Sequence, residues 1–324
     1  MIDGFKILEN SELQKDILCY LQKGSARGEY LGFPVFNEKY TMCLPGATDW
    51  TGAGGSGKSE FLLELLINTS EFYGWKHLVY VPDVGTKEEI TSILLHKLTG
   101  KTFDKRYKNN LITEEEIYKW LPWVSEHFKI LYKEDKKKKI TPYQFWDLFI
   151  EMHKKDKMIK TCTIDSWKDM RRYVGRDNES ISRDDLYLED VLGYRNDLLD
   201  LYDVHFHIII HPLKTEKDKN GNRLPAGPYD LKGGPTWFDA GKCMMTVHRV
   251  DGTYNEVSVI VTKAKPGSVA SLGETRFFFD MVKRRFYWSN ENNDKIYAEK
   301  KYKAPNVLFN QNNFVDEEDS DVPF

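Results

Sequence analysis

Residues 52 to 59 read Gly-Ala-Gly-Gly-Ser-Gly-Lys-Ser, a GxxxxGK[ST] pattern whose chemistry is phosphate binding. Gly52, Gly54, Gly55 and Gly57 allow successive backbone N–H groups, with Ser56 among them, to turn into one concavity that cradles a triphosphate. Lys58 then reaches the β- and γ-phosphates, the Ser59 hydroxyl reaches Mg²⁺, and Glu60 opens the following helix beside them. The ligand implied is ATP or a related nucleotide with its magnesium ion. Such a loop needs a second acid on the metal side, and Asp165, closing the apolar run Lys160-Thr-Cys-Thr-Ile-Asp165, fits that Walker B place. Hydrolysis also needs a group to polarise water. Asp83, which ends the strand after the first helix, is best placed by topology, with Asp169 and Glu60 as weaker alternatives.

The flanking elements suit the motif. Tyr40-Thr-Met-Cys-Leu44 reads as a strand before the loop, and Glu60 to Ile67 has helical spacing after it, so a strand feeds a phosphate-binding helix N-terminus. His77 to Pro82 reads as a buried strand. Capping boxes at Thr86-Lys-Glu-Glu89, Thr113-Glu-Glu-Glu116 and Thr141-Pro-Tyr-Gln144 start three helices, the first ending at Gly100. Strands are expected at 128–132, 160–165 and 204–211, with a helix over 186–202. The last third looks antiparallel: 242–250 and 256–262 join at Asp251-Gly252, a two-residue hairpin signal, and 275–280 and 285–288 follow. Repeated β-α alternation ending in hairpins predicts an α/β fold: a mostly parallel central sheet flanked by helices, with antiparallel strands at one edge.

Three segments are expected: a leader over 1–30, an ATPase domain over 31–288, and an acidic tail over 289–324 that is disordered. The leader carries an amphipathic helix with Leu13, Ile17, Leu18 and Leu21 on one face, capped by Asn10 or Ser11 and ended by Gly24; it packs either on the core or on a neighbouring subunit. Forty per cent hydrophobic and 30% charged residues describe an ordinary soluble chain. No apolar run reaches about 18 residues and the start has no signal peptide, so a membrane or secreted protein is not expected. Cys19, Cys43, Cys162 and Cys243 are scattered, which suits a reducing cytoplasm and not a zinc site. Removing the five acids between Asp316 and Phe324 takes the net charge from −3 to +2, so the body is compatible with a nucleic-acid partner. The lysine run Lys136 to Lys139 reads as a solvated loop or, less simply, a DNA contact.

The ordered set of segments resembles a family. Gly52 to Ser59, Val81-Pro-Asp-Val84, Ile164-Asp-Ser-Trp167, His211-Pro-Leu-Lys214, Tyr229-Asp-Leu-Lys-Gly-Gly234, Val247-His-Arg249 and Thr262-Lys-Ala-Lys265 follow the order of the RecA-like ATPase domain of DnaB-type hexameric replicative helicases. The likeness is strongest to the phage and mitochondrial branch that includes Twinkle, and covers roughly 31 to 288. It implies that His211 senses the γ-phosphate, and that Lys263 and Lys265 reach a neighbouring subunit's γ-phosphate. It implies that Arg249 and Phe279 hold the nucleotide's sugar and base, and that Lys214, Lys232, Gly233 and Gly234 lie in loops facing single-stranded DNA. Homo-hexamer formation is implied too, with the leader helix as strap. The tail ending Asp-Val-Pro-Phe324 resembles the tips of single-stranded-DNA-binding proteins and of phage helicases, implying a replisome partner such as DNA polymerase and a phage protein in a host cytoplasm.

This chain departs from the pattern twice. Asp83 stands where the family usually has glutamate, and Lys265 where it usually has arginine, so a point charge replaces a bidentate fork. Two rivals to a helicase motor therefore remain open at this level: a RecA- or Rad55-like recombination ATPase that binds DNA without unwinding, and a nucleotide-switched replisome scaffold.

Overall fold

The computed structural model describes residues 6–24, 27–135, 137–253 and 255–299. In chain order it runs α1 (Asn10–Lys23), α2 (Pro34–Asn37), β1 (Gly46–Thr51), α3 (Lys58–Tyr73), β2 (Lys76–Tyr80), α4 (Lys87–Thr99), α5 (Glu114–His127), β3 (Phe128–Ile130) and α6 (Pro142–Lys155). There follow β4 (Ile159–Asp165), α7 (Asp184–Leu201), β5 (His205–Ile209), α8 (Gly234–Ala240), β6 (Cys243–Arg249), β7 (Glu256–Ala264), β8 (Gly273–Asp280), β9 (Arg285–Ser289) and β10 (Lys295–Tyr297). The three capping boxes do start helices. Thr86, Thr113 and Thr141 accept the N–H of Glu89, Glu116 and Gln144 at 3.3, 3.2 and 3.2 Å. Each such cap contributes about 1 kcal/mol.

The strands form one ten-stranded sheet in the order β10-β9-β8-β7-β6-β1-β5-β4-β2-β3. β3, β2, β4, β5, β1 and β6 pair in parallel, and β6 to β10 continue as an antiparallel meander. This is the predicted mixed sheet. Alternate residues of each central strand supply two cores. Trp50, Val79, Ile209 and Val247 pack with α2, α3, α4 and α5 on one face; Ala47, Leu78, Phe206 and Ile208 pack with α6, α7 and α8 on the other. At the centre of the first core, Phe61 of α3 lies within about 6 Å, ring to ring, of Phe33, Phe36, Trp50, Phe277 and Phe286.

Four local expectations shift. The strand entering the phosphate loop is Gly46–Thr51, not 40–44, where Tyr40 and Met42 make only isolated bridges to Ala270 and Glu29. Thr48, Asp49 and Thr51 make β1 look too polar for a central strand, yet all six of its residues are buried. The polarity is neutralised across the fold: Thr48 Oγ1 lies 2.9 Å from His205 Nε2, and Asp49 Oδ1 is 2.6 Å from Arg195 Nη1 of α7, both side chains fully buried. The turn at Asp251-Gly252 is longer than two residues, because pairing begins only at Arg249↔Val257. Ordered structure also extends beyond 289, since Ile296 of β10 pairs with Trp288 and the Tyr297 hydroxyl donates to Asp280 Oδ2 at 2.5 Å.

The leader helix forms as expected over Asn10–Lys23, beginning after Glu9 and closed by Gly24 at φ 71°, but none of its residues is buried. Leu13, Ile17, Leu18 and Leu21 are 48–75% exposed. Lys137, Lys138 and Lys139 lie in an exposed loop, as predicted. Lys136 and the acidic segment Asp316 to Phe324 lie outside the described residues.

Candidate nucleotide and catalytic site

Register brings the chemistry to one edge of the sheet. Trp50 of β1 and Asp165 of β4 both sit opposite Ile209 of β5, while Tyr80 of β2 sits opposite Ile164. The segments after these strands therefore emerge side by side at their C-terminal ends, where open α/β sheets bind ligands. They carry the phosphate loop, Asp83, Asp165 and His211.

The loop's geometry requires glycine at two positions in particular. A Cβ on Gly52 would lie 2.1 Å from the Val247 carbonyl oxygen of the neighbouring strand, and Gly57, at φ 96°, turns the chain into α3. At Gly54 and Gly55 a Cβ would meet nothing within 4 Å, so the concave side is open. Lys58, 5% exposed, curls back on the loop and donates to the carbonyls of Gly52 and Ala53, both at 2.8 Å. Burial lowers its ammonium to about 8, against the opposing pull of Asp165 and Asp83.

Asp165 ends β4 at 2% exposure. Burial lifts its carboxyl to about 6, although Ser59 hydrogen-bonds to it and Lys58 lies near. Its Oδ2 has no hydrogen-bond partner among the described residues, and neither does the buried hydroxyl of Ser56. A hydroxyl beside a buried carboxylate with a spare lone pair, facing an open loop of N–H donors, is a donor set suited to Mg²⁺ and phosphate oxygens.

Asp83 hangs from the loop after β2, its backbone N–H 3.5 Å from the Asp165 carbonyl. Its carboxylate meets Lys168 Nζ at 2.7 Å, His211 Nε2 at 3.0 Å and the donating Ser166 hydroxyl at 3.3 Å. Partial burial works against ionisation there, but the hydrogen bonds and charges of Lys168 and His211 outweigh it and hold Asp83 below its ordinary value. His211 is itself lowered, by burial first and then by Lys58. The alternative acids are otherwise engaged. Asp169 accepts from Ser166 at 3.0 Å; Glu60 is bonded to Arg284 at 2.5 and 2.9 Å and to Lys97 at 3.0 Å. Burial would raise the Glu60 carboxyl, yet those two cations lower it to about 2. This commits its carboxylate away from any water-polarising role.

Beside Gly55–Gly57 opens a cavity of about 440 Å³. Arg249 and Phe279 line it, as the sequence suggested for the sugar and base. So do His96, Asp104, Arg106 and Tyr107, which sequence reasoning did not reach, because nothing in the α4–α5 connection marks it as adjacent to β6 and β8. Lys168 was also missed. Its only sequence signal is its place three residues past Asp165.

The remaining predicted residues lie elsewhere. Lys265 follows β7 and lines a cavity with Cys43, Gly46 and His205, at the N-terminal end of β1. At about 3.3 Å per residue that end is roughly 20 Å from the chain's own phosphate loop. Lys263 is 5% exposed and turned inward: its ammonium donates to the Phe238 carbonyl and lies 4.6 Å from that ring's centroid. Neither lysine meets its own chain's site. Lys214 is exposed. Lys232 pairs with Asp184 at 2.7 Å and with the Tyr173 hydroxyl at 2.9 Å. Gly233 and Gly234 are tightly packed, since a Cβ would lie 2.4 Å from Leu188 Cδ1 and 2.8 Å from the Pro228 oxygen respectively.

Sheet order, phosphate loop and the acids beside it define a RecA-like P-loop NTPase fold, in the form found in DnaB-type helicase ATPase domains. Among solved structures, the chain is similar to the ATPase domain of a phage helicase, at 14% identity and a TM-score of 0.67, covering 87% of this chain and 99% of that one. It is also similar to a DnaB-like replicative helicase studied for its interactions with primase, at 14% identity and a TM-score of 0.63, covering 86% of this chain and 68% of that one. The sequence matches no protein-family model and no curated protein. Among the described residues no helix is long and apolar enough to cross a membrane, and no His, Cys, Asp and Glu cluster of metal-binding type occurs.

Proposed function

We propose that this chain is an ATP-hydrolysing motor of a replicative DNA helicase, working as a ring of identical subunits, six by resemblance, that moves along single-stranded DNA. The observation that carries the reading is the division of the site between two ends of the sheet. Lys58, Ser59, Asp165, Asp83 and His211 meet at one end, while Lys265 stands at the other. A nucleotide held at the first end would lack a trans-acting cation unless a second copy presented its Lys265. The exposed apolar face of α1 supports the same assembly, since it finds no cover on its own core.

In this mechanism the loop N–H groups and Lys58 bind the phosphates, with Ser59 and Asp165 holding Mg²⁺. The ion supplies neutralisation of phosphate charge when bound. Asp83 accepts the proton of the attacking water as the water oxygen bonds to the γ-phosphorus and the bridging bond to ADP breaks. His211, bonded to Asp83, is positioned to feel loss of the γ-phosphate and to pass it to the segment from Pro212 to Gly234. There, Lys214 and Lys232 would track DNA phosphates without reading bases. Arg249 and Phe279 hold the sugar and base. The segment Asp316 to Phe324 would dock a replisome protein such as the polymerase, in a host cytoplasm if the protein is phage-encoded.

The test is ATP hydrolysis with and without single-stranded DNA, on wild type and Lys58→Ala, with particle mass measured on the same samples. DNA-stimulated turnover in a ring-sized particle, lost in Lys58→Ala, is the expected result. A monomer or dimer whose turnover ignores DNA would overturn the motor reading in favour of a nucleotide-switched scaffold.

A further inference from the structure

Lys168 faces two ways. Its Nζ lies 2.7 Å from Asp83 Oδ1, yet its side chain is 53% exposed. It also lines a cavity of about 80 Å³ with Arg172, Tyr173, His211 and Lys232, where the segments following β4 and β5 come together. Asp83's other oxygen is meanwhile taken by His211 Nε2 at 3.0 Å and the Ser166 hydroxyl at 3.3 Å. With both oxygens occupied by donors, this carboxylate offers little to an attacking water. In the described state the water-polarising group is restrained.

The cavity has the complementary chemistry. Lys168, Arg172 and Lys232 are its cations, and its one acid, Asp184, already accepts from Lys232 and the Tyr173 hydroxyl. Its size admits a phosphate group more readily than a nucleobase. A phosphate there would meet two cations, Lys168 and Arg172, that no buried ion pair holds in place.

We propose that Lys168 couples nucleic-acid binding to hydrolysis: a backbone phosphate of single-stranded DNA entering this cavity draws the Lys168 ammonium off Asp83 and frees Oδ1 for the attacking water. The inference rests on Asp83 being the group that accepts the water's proton. No proton or bond changes hands in the exchange, which trades one partly exposed ion pair for another of similar strength and so is easily reversed. Lys168 is on this account a positioning residue. It acts through Asp83 and touches no reacting atom.

The experiment measures ATP hydrolysis by the full chain over a titration of oligo(dT), for wild type, Lys168→Met, Lys168→Arg, Arg172→Gln and Asp83→Asn. Lys168→Met should raise the DNA-free rate about fivefold, the range of a half-exposed ion pair, and shrink stimulation by DNA in proportion. Its binding of oligo(dT) should lose about one ion from the salt dependence. Lys168→Arg should keep both restraint and stimulation. Arg172→Gln should weaken DNA binding while leaving the DNA-free rate low. A Lys168→Met protein with an unchanged or lower DNA-free rate and full stimulation overturns the proposal while Asp83→Asn remains inactive. If Asp83→Asn itself turns over at the wild-type rate, the reading of Asp83 fails, and the role of Lys168 with it.

Discussion

Replacing Asp165 with asparagine should stabilise the nucleotide-free protein at neutral pH while destroying its activity. The carboxyl is 2% exposed, and its Oδ2 lacks a partner among the described residues. Burial lifts it from 3.8 to about 6. The folded chain therefore holds this proton up to about pH 6, whereas the unfolded chain releases it near pH 4. Between those values folding takes up a proton, so wild-type stability falls as pH rises through the window and stays lower above it. About two pH units at 1.36 kcal/mol each give a cost of about 3 kcal/mol at pH 7. Asparagine has nearly the same shape and no titration. Removing the negative charge also removes its support for the buried Lys58 ammonium, which returns part of the gain. The expected net stabilisation is about 2 kcal/mol at pH 7, shrinking toward zero near pH 4. Urea denaturation of both proteins at about pH 5 and about pH 7, without nucleotide, measures the gap directly. With Mg²⁺ and ATP at about a hundredfold over Kd the wild type should gain about 2.7 kcal/mol and the variant far less. A variant less stable than wild type at pH 7, or a gap identical at both pH values, would refute the claim that the nucleotide-free site carries a desolvated charge.

Other consequences follow from particular contacts. Arg195→Met leaves Asp49 buried and unpaired in the central strand, and should cost about 3–5 kcal/mol in a denaturant titration, with Asp49→Asn recovering part of it. If Lys265 acts only in trans, Lys265→Ala and Asp83→Asn should each be inactive alone. Mixed in equal amounts before assembly they should regain about a quarter of wild-type hydrolysis, the share of interfaces pairing an intact acid with an intact lysine. Thr86→Ala removes the cap of α4 and should lower stability by about 1 kcal/mol, seen as a reduced thermal midpoint without loss of nucleotide binding. Deleting residues up to Gly24 removes the exposed face of α1 and should reduce particle mass while leaving the thermal midpoint of the core almost unchanged, as that helix buries nothing on its own chain.

Much of this protein was written locally. The glycine spacing at 52–57, the three Thr-initiated helices and the run of hairpins after 242 are short-range signals. Backbone sterics and capping hydrogen bonds act within a few residues, so the mixed sheet and the phosphate loop could be anticipated from the chain alone. β1 could not, because its Thr48 and Asp49 look like loop residues until His205 and Arg195, more than 140 positions away, arrive to satisfy them. The same holds around the site. Asp83 and Asp165 stand at the ends of legible strands, but Lys168 and His211 reach Asp83 only because β2, β4 and β5 lie in register. Glu60 sits beside Ser59 in the chain, yet Arg284 and Lys97 take its carboxylate. Lys263 and Lys265 are two residues apart, and packing against Phe238 buries the first while the second ends far from its own loop. The sequence alone determined which ligand chemistry the chain carries and the class of sheet that holds it. Tertiary structure decided which charges face one another, since burial and electrostatic pairing depend on distances that only the folded register sets.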